Sequence, residues 1–133
     1  MGFAICFYIP LSKHFAWIIS YVSVLPQIVP FNFGDEEINL DETVSATCTI
    51  VKGDLPINIW WTLADSYESI AEYNISTNDG IVIAKAGNKL SLLNIESVKR
   101  RHRGNYTCYA QNKAGITQHS AFLSINGDSH VFL

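Results

Sequence analysis

From Pro26 onward the chain runs in short stretches of alternating apolar and polar residues, broken by turn-forming residues roughly every 8–12 positions. Residues 43–51 are the clearest case. Val44, Ala46, Cys48 and Ile50 fall on one face, and Thr43, Ser45, Thr47 and Thr49 on the other. Successive strand residues point to opposite faces, so this is a strand with one buried and one solvated side. Lys52-Gly53-Asp54-Leu55-Pro56 reads as a turn, and residues 57–63 as the next strand. There Ile57, Ile59 and Trp61 share one parity, while Asn58, Trp60 and Thr62 share the other, which sends Trp61 to the core and Trp60 to the outside. Residues 27–33 read as a first edge strand, because Pro26 and Pro30 are tolerated only at an edge. Residues 65–80 are polar and irregular, closing on the turn Asn78-Asp79-Gly80. Strands follow at 81–85, 89–95, 104–112 and 115–125, with a hairpin turn at Asn112–Gly115. Their parity turns Leu93, Ile95, Tyr106, Cys108 and Ala110 inward, with Val98 closing one end, and leaves Leu90, Leu92 and Asn94 facing out. No helical period competes. The expectation is an all-β sandwich of two antiparallel sheets.

The first 25 residues break this texture. They are apolar in two blocks, 3–11 and 15–25, split by Lys13-His14 and bent by Pro10. No Lys or Arg precedes the first block, and Ser20-Tyr21-Val22-Ser23 is a poor cleavage site for a signal peptide. Lys13 and Pro10 interrupt a spanning helix. Residues 1–23 therefore read as a degenerate leader, an anchor, or sequence foreign to the folded domain. Residues 24–126 read as the domain and 127–133 as an unstructured tail. At 133 residues there is room for one domain with tails. A net charge of −3 gives no global pull toward nucleic acid or an anionic membrane.

Cys48 and Cys108 lie 60 positions apart, with the Trp60-Trp61 pair after the first and Tyr106 two residues before the second. This is the framework of an immunoglobulin-type sandwich: a cysteine in each sheet, a tryptophan packed on the disulfide, and a tyrosine at the corner. Trp61, Tyr106, Leu93 and Ile95 make its core framework. Closing a loop of that length contributes about 4 kcal/mol in the chain-entropy model, and it needs an oxidising compartment, at the cell surface or outside the cell. The alternative is a pair of buried reduced thiols, as in intracellular muscle-type domains. Asn74-Ile75-Ser76 and Asn105-Tyr106-Thr107 are N-glycosylation sequons and tilt the balance outward. Asn74 lies in a polar loop and is the better acceptor; Asn105 points outward but sits near a tight corner. Cys6 is left over, in the apolar leader.

Nothing else in the chain spells out chemistry. Lys99-Arg100-Arg101-His102-Arg103 is a dense basic run, read as a solvated turn or as a patch for heparan sulfate. The four histidines have no metal-ligand spacing, and no phosphate loop or nucleophile elbow appears. The expectation is no enzyme, no cofactor, no metal and no nucleic-acid partner, with any membrane attachment made through other parts of a longer chain.

Several segments together carry a more specific likeness. They are Val-Leu-Pro-Gln-Ile-Val-Pro-Phe-Asn-Phe-Gly at 24–34, Lys-Gly-Asp-Leu-Pro-Ile-Asn-Ile-Trp-Trp at 52–61, and Leu93-Asn94-Ile95. Arg101-His102-Arg103-Gly104-Asn105-Tyr106-Thr107-Cys108 and Ala110-Gln111-Asn112-Lys113-Ala114-Gly115 complete the set. The last two resemble I-set immunoglobulin domains in general. The first two, with His102 where most families carry Asp, resemble the arthropod Down syndrome cell adhesion molecules, most of all their alternatively spliced seventh immunoglobulin domain. The likeness spans about residues 24–126 and does not extend to the two ends. It implies a module of a cell-surface receptor that pairs with an identical copy, in axon guidance and self-avoidance. It also implies a docking face on the sheet of the first, second, fourth and fifth strands, here Thr43, Ser45, Thr47, Thr49, Leu90, Leu92 and Asn94. His102 departs from the common pattern, in which an acid at this place pairs with a basic residue. A heterophilic or immune-recognition domain that binds glycans or pathogen surfaces is the competing reading, and an intracellular structural domain the third.

Overall fold

The computed structural model describes residues 2–11, 14–34, 36–64, 72–74 and 80–127. Ten strands follow in order: β1 (Phe3–Leu11), β2 (His14–Val22), β3 (Gln27–Ile28), β4 (Val44–Lys52), β5 (Asn58–Ala64), β6 (Glu72–Asn74), β7 (Ile81–Lys85), β8 (Leu90–Ile95), β9 (Gly104–Asn112) and β10 (Gly115–Leu123). Two four-stranded antiparallel sheets, β3-β4-β8-β7 and β10-β9-β5-β6, form the two layers. The alternation read from sequence is realised in β4, where Val44, Ala46, Cys48 and Ile50 are buried and Thr43 and Ser45 exposed.

A disulfide joins Cys48 in one sheet to Cys108 in the other. Trp61 lies directly across from Cys108 in register, and Ser91 directly across from Cys48. The Trp61 indole N–H donates to Ser91 Oγ at 2.9 Å, so a hydrogen bond crosses the core beside the covalent one. Both partners are fully buried, and a buried indole N–H without an acceptor costs about 1–3 kcal/mol. The Tyr106 hydroxyl donates to the His102 carbonyl at 2.6 Å, fastening the corner where the chain enters β9. Gly104, at φ +154, has room for no side chain: a Cβ there would stand 2.4 Å from the Ala64 carbonyl oxygen.

The first edge strand is shorter than the expected 27–33. It pairs with β4 only over Gln27–Ile28, with a bulge between the two, and the Val29 N–H reaches Thr49 O at 2.9 Å. Pro30 has no N–H to continue the ladder, and the chain leaves this sheet. Phe31 then packs on Trp61 and Phe33 on Tyr106, each at 5.2 Å between ring centroids. Ile38 forms a parallel bridge with Ile125 beside the opposite sheet. The crossing is held by His119 on β10, whose Nε2 stands 3.1 Å from Phe31 N and 2.8 Å from Phe31 O.

The apolar segment at the start forms an antiparallel hairpin, β1 with β2, in register from Phe3 opposite Val22 to Leu11 opposite His14. Its two strands correspond to the two apolar blocks, rich in the aromatic and β-branched residues that favour strands. Cys6 lies in β1 opposite Ile19. Among the described residues no helix is long and apolar enough to cross a membrane. The irregular stretch 65–80, apart from β6 and Gly80, and the tail beyond Gly127 lie outside the described residues.

Candidate recognition faces

A core filled by side chains leaves the outer faces and loops as the places where chemistry meets solvent. Among the described residues no group of His, Cys, Asp or Glu could hold a metal. A cleft of about 350 Å3 is lined by Leu55, Pro56, Ile57 and Asn88, none of them titratable.

On the β3-β4-β8-β7 sheet the register builds rows of outward positions. Val82, Asn94 and Ser45 form one row; Ala84, Leu92 and Thr47 the next; Leu90 and Thr49 a third. Six of the seven residues singled out from sequence are therefore neighbours on one face, and Thr43 directly precedes β4. Thr43 and Ser45 are exposed, while Thr47, Thr49, Leu90, Leu92 and Asn94 are half-buried. The Thr43 hydroxyl is already engaged, donating to Glu96 O at 2.7 Å. Sequence reasoning missed Val82 and Val51, which are 55% and 52% exposed and carry the face's most accessible apolar surface. The parity of 81–85 against 89–95 was the available signal. None of these outward positions is charged.

The outer face of β10-β9-β5-β6 differs in chemistry. Trp60 stacks on its cross-strand partner Tyr109, with centroids 5.2 Å apart and planes within 8°. Gln118 stands in the same row, opposite Tyr109. One row along, Thr62 and Thr107 are buried, and Thr107 Oγ1 shares a 2.6 Å hydrogen bond with Ser120 Oγ. In the next row Asn105 lies between Ala64 on β5 and Phe122 on β10. Asn74 falls in β6, in register with Thr62.

The basic run is broken up by its own structure. Lys99 is ion-paired with Asp41. His102 is buried, and its Nδ1 accepts the Lys99 N–H at 2.9 Å, which caps the short 3₁₀ helix Arg100–His102. The imidazole thus supplies an acceptor where the common pattern has a carboxylate. The Arg103 guanidinium lies 5.3 Å over the Phe122 ring. Of the five, Lys99, Arg100 and Arg101 remain exposed, Arg103 is half-buried and His102 is buried. Hydrogen bonds from Lys99 and then from Ser97, with the Lys99 charge, hold the Asp41 carboxyl below its ordinary range.

One further constellation had no periodic trace in the sequence. Val24 N donates to Asp54 Oδ2 at 2.8 Å, and Asp54 N donates to Val24 O at 3.1 Å. Asn112 Nδ2 reaches Val24 O at 2.6 Å and Asp54 O at 3.1 Å. Asn112 Oδ1 in turn accepts the Ala114 N–H at 2.8 Å. Gly53, at φ +137, lets this loop close: a Cβ would stand 2.9 Å from Pro26 Cα. Three of the segments that carried the family likeness, at 24–34, 52–61 and 110–115, thus meet in one clamp where the chain enters the sandwich.

Comparison with known proteins agrees with the architecture. Residues 26–112 match the model of the immunoglobulin domain family. Cell adhesion molecule Dscam1 of Drosophila melanogaster is 36% identical over 105 residues, which is 79% of this chain and 5% of the relative. The crystal structure of Dscam1 Ig7 domain isoform 5 is 42% identical, with a TM-score of 0.66 over 76% of this chain and 96% of that one. That of isoform 9 is 36% identical, with a TM-score of 0.67 over 77% and 100%. The chain therefore corresponds in extent to a single domain of much longer relatives.

Proposed function

We propose that this chain, which belongs to the immunoglobulin-domain family and within it to the Dscam cell adhesion molecules, is a homophilic recognition module. Residues 24–126 are the working unit, displayed outside the cell on a longer receptor whose isoforms distinguish self from non-self in axon guidance and self-avoidance. It acts by binding and not by catalysis.

The observation that carries this reading is the open aliphatic and hydroxyl surface on the central rows of β3-β4-β8-β7, where Val82 and Val51 are more than half exposed. Identical domains that meet face to face make an isologous contact, in which every residue near the two-fold axis meets a copy of itself or of a close neighbour. Any charge near that axis opposes its own copy, and like charges juxtaposed cost several kcal/mol. The rows Val82–Asn94–Ser45 and Ala84–Leu92–Thr47 hold no charge and combine exposed aliphatic surface with hydroxyls and one amide. Hydroxyls left unpaired by a mismatched partner are penalised, so such a face discriminates by shape and by hydrogen-bond complementarity. Sedimentation equilibrium of the full chain against a Leu92→Arg, Thr47→Lys double variant tests the face. The account expects association in the wild type and its loss in the variant. Equal association in both would overturn it.

A further inference from the structure

Charge does not choose between the two outer faces. The twelve outward positions on β5, β9 and β10, from Asn58 to Phe122, are as free of Asp, Glu, Lys and Arg as those on the opposite sheet. What separates the faces is the location of the sequons. Asn105 lies on β9, one strand in from the edge, half-buried among outward positions. Asn74 lies on β6 of the same sheet, one row along and two strands over. From strand spacing and rise the two positions are about 12 Å apart.

We propose that Asn105 carries an N-linked glycan which, with a second at Asn74, covers the outer face of β10-β9-β5-β6 and leaves the opposite sheet as the face open to another protein. The second half rests on the pairing function proposed above; the glycan assignment does not.

The hydrogen bonding of the two asparagines on β9 is instructive. Asn112 is spent on structure, its amide holding Val24, Asp54 and Ala114. The Asn105 side chain takes no hydrogen-bond partner among the described residues, so modifying its amide breaks nothing in the fold. The sequon's other residues constrain when modification occurs. Tyr106 is fully buried, and the Thr107 hydroxyl, which a transferase must engage, is buried against Ser120. Transfer therefore precedes folding and acts on the extended chain. Asn105 Nδ2 attacks C1 of a lipid-diphosphate-linked oligosaccharide. A C–N bond forms, the C–O bond to the diphosphate breaks, the lipid diphosphate leaves, and the amide proton passes to the enzyme's base. Folding then places the sugar on the solvent side of the sheet. A bulky hydrated chain there excludes a second sheet from packing within 10 Å, the spacing that face-to-face sheets need.

The test uses the full chain, directed to the secretory pathway of cultured mammalian cells by a heterologous leader. Endoglycosidase mobility shifts on the intracellular pool report transfer whether or not the protein is exported. Two increments are expected, one lost in Asn105→Gln and the other in Asn74→Gln. Sedimentation of the glycosylated and enzymatically deglycosylated protein should then give self-association constants within about twofold of each other. A missing increment at either asparagine overturns the assignment. A tenfold change in association on deglycosylation overturns the one-face consequence. Two increments with no association in either form support the glycan assignment and count against the homophilic reading instead.

Discussion

The two sheets share one core and one disulfide, yet their outer faces are built from different materials. The β3-β4-β8-β7 face presents aliphatic and hydroxyl side chains in uninterrupted rows, with Val82 more than half exposed. The β10-β9-β5-β6 face presents a stacked Trp60–Tyr109 pair, amides, and both sequon asparagines. Exposed aromatic surface by itself would nominate the second face for recognition, since tryptophan and tyrosine dominate binding energy at interfaces. Here the aromatic rings are already stacked on each other, and the two sequon asparagines lie one and two rows along from them. The lesson is that aromatic content ranks a face only after its rings' existing partners and its modifications are counted.

That comparison breaks or sharpens under substitution. The largest effect is expected inside, where both faces depend on the same framework. Trp61→Ala should cost about 3–5 kcal/mol in urea unfolding, because it leaves a cavity and strands Ser91. Trp60→Ala, which removes only an outer-face stack, should cost about 0.5–1.5 kcal/mol. Equal costs would mean that the two tryptophans do not occupy different environments.

Next comes His102→Ala, which removes a buried acceptor and leaves the Lys99 N–H unpaired; about 1–3 kcal/mol is expected. His102→Asp restores an acceptor at the same place and should recover most of the loss in the same unfolding assay. A variant series in which Asp is no better than Ala would contradict the capping role.

The smallest effect belongs to the exposed Lys99–Asp41 pair. Asp41 has a folded-state pKa below its unfolded value, so its contribution is full above the ordinary carboxylate range. That contribution fades as the pH falls through the lowered folded value. Asp41→Asn should therefore lower the melting temperature slightly at pH 7 and not at all in strong acid. The small difference should shrink further in high salt.

Much of the sandwich was legible because strand parity has a period of two. That rule separated Trp61 from Trp60, while the family resemblance supplied the expectation that Leu92 and Thr47 share one face. Parity failed where another constraint intervened. The expected 27–33 strand is too long because a proline tolerated at a sheet edge still lacks the N–H that continues the ladder; past Pro30 the chain turns away and Phe31 and Phe33 pack on Trp61 and Tyr106. The hairpin at 3–22 went unread because its residues are apolar on both parities and matched the templates of targeting segments instead. The clamp of Val24, Asp54 and Asn112 is made of side-chain contacts to backbone groups 30 to 88 positions away, which leave no periodicity to detect. The role of His102 was hidden for a related reason. Its residue type suggested a lost ion pair, and only the geometry shows an acceptor put to use.

The account turns on which outer face meets the second copy. Hydroxyl-radical footprinting of the full chain, read residue by residue at increasing protein concentration, measures that directly. Oxidation at Leu92 and Val82 should fall as association proceeds, while Trp60 and Tyr109 stay constant. Protection of Trp60 and Tyr109 with Leu92 and Val82 unchanged would contradict it.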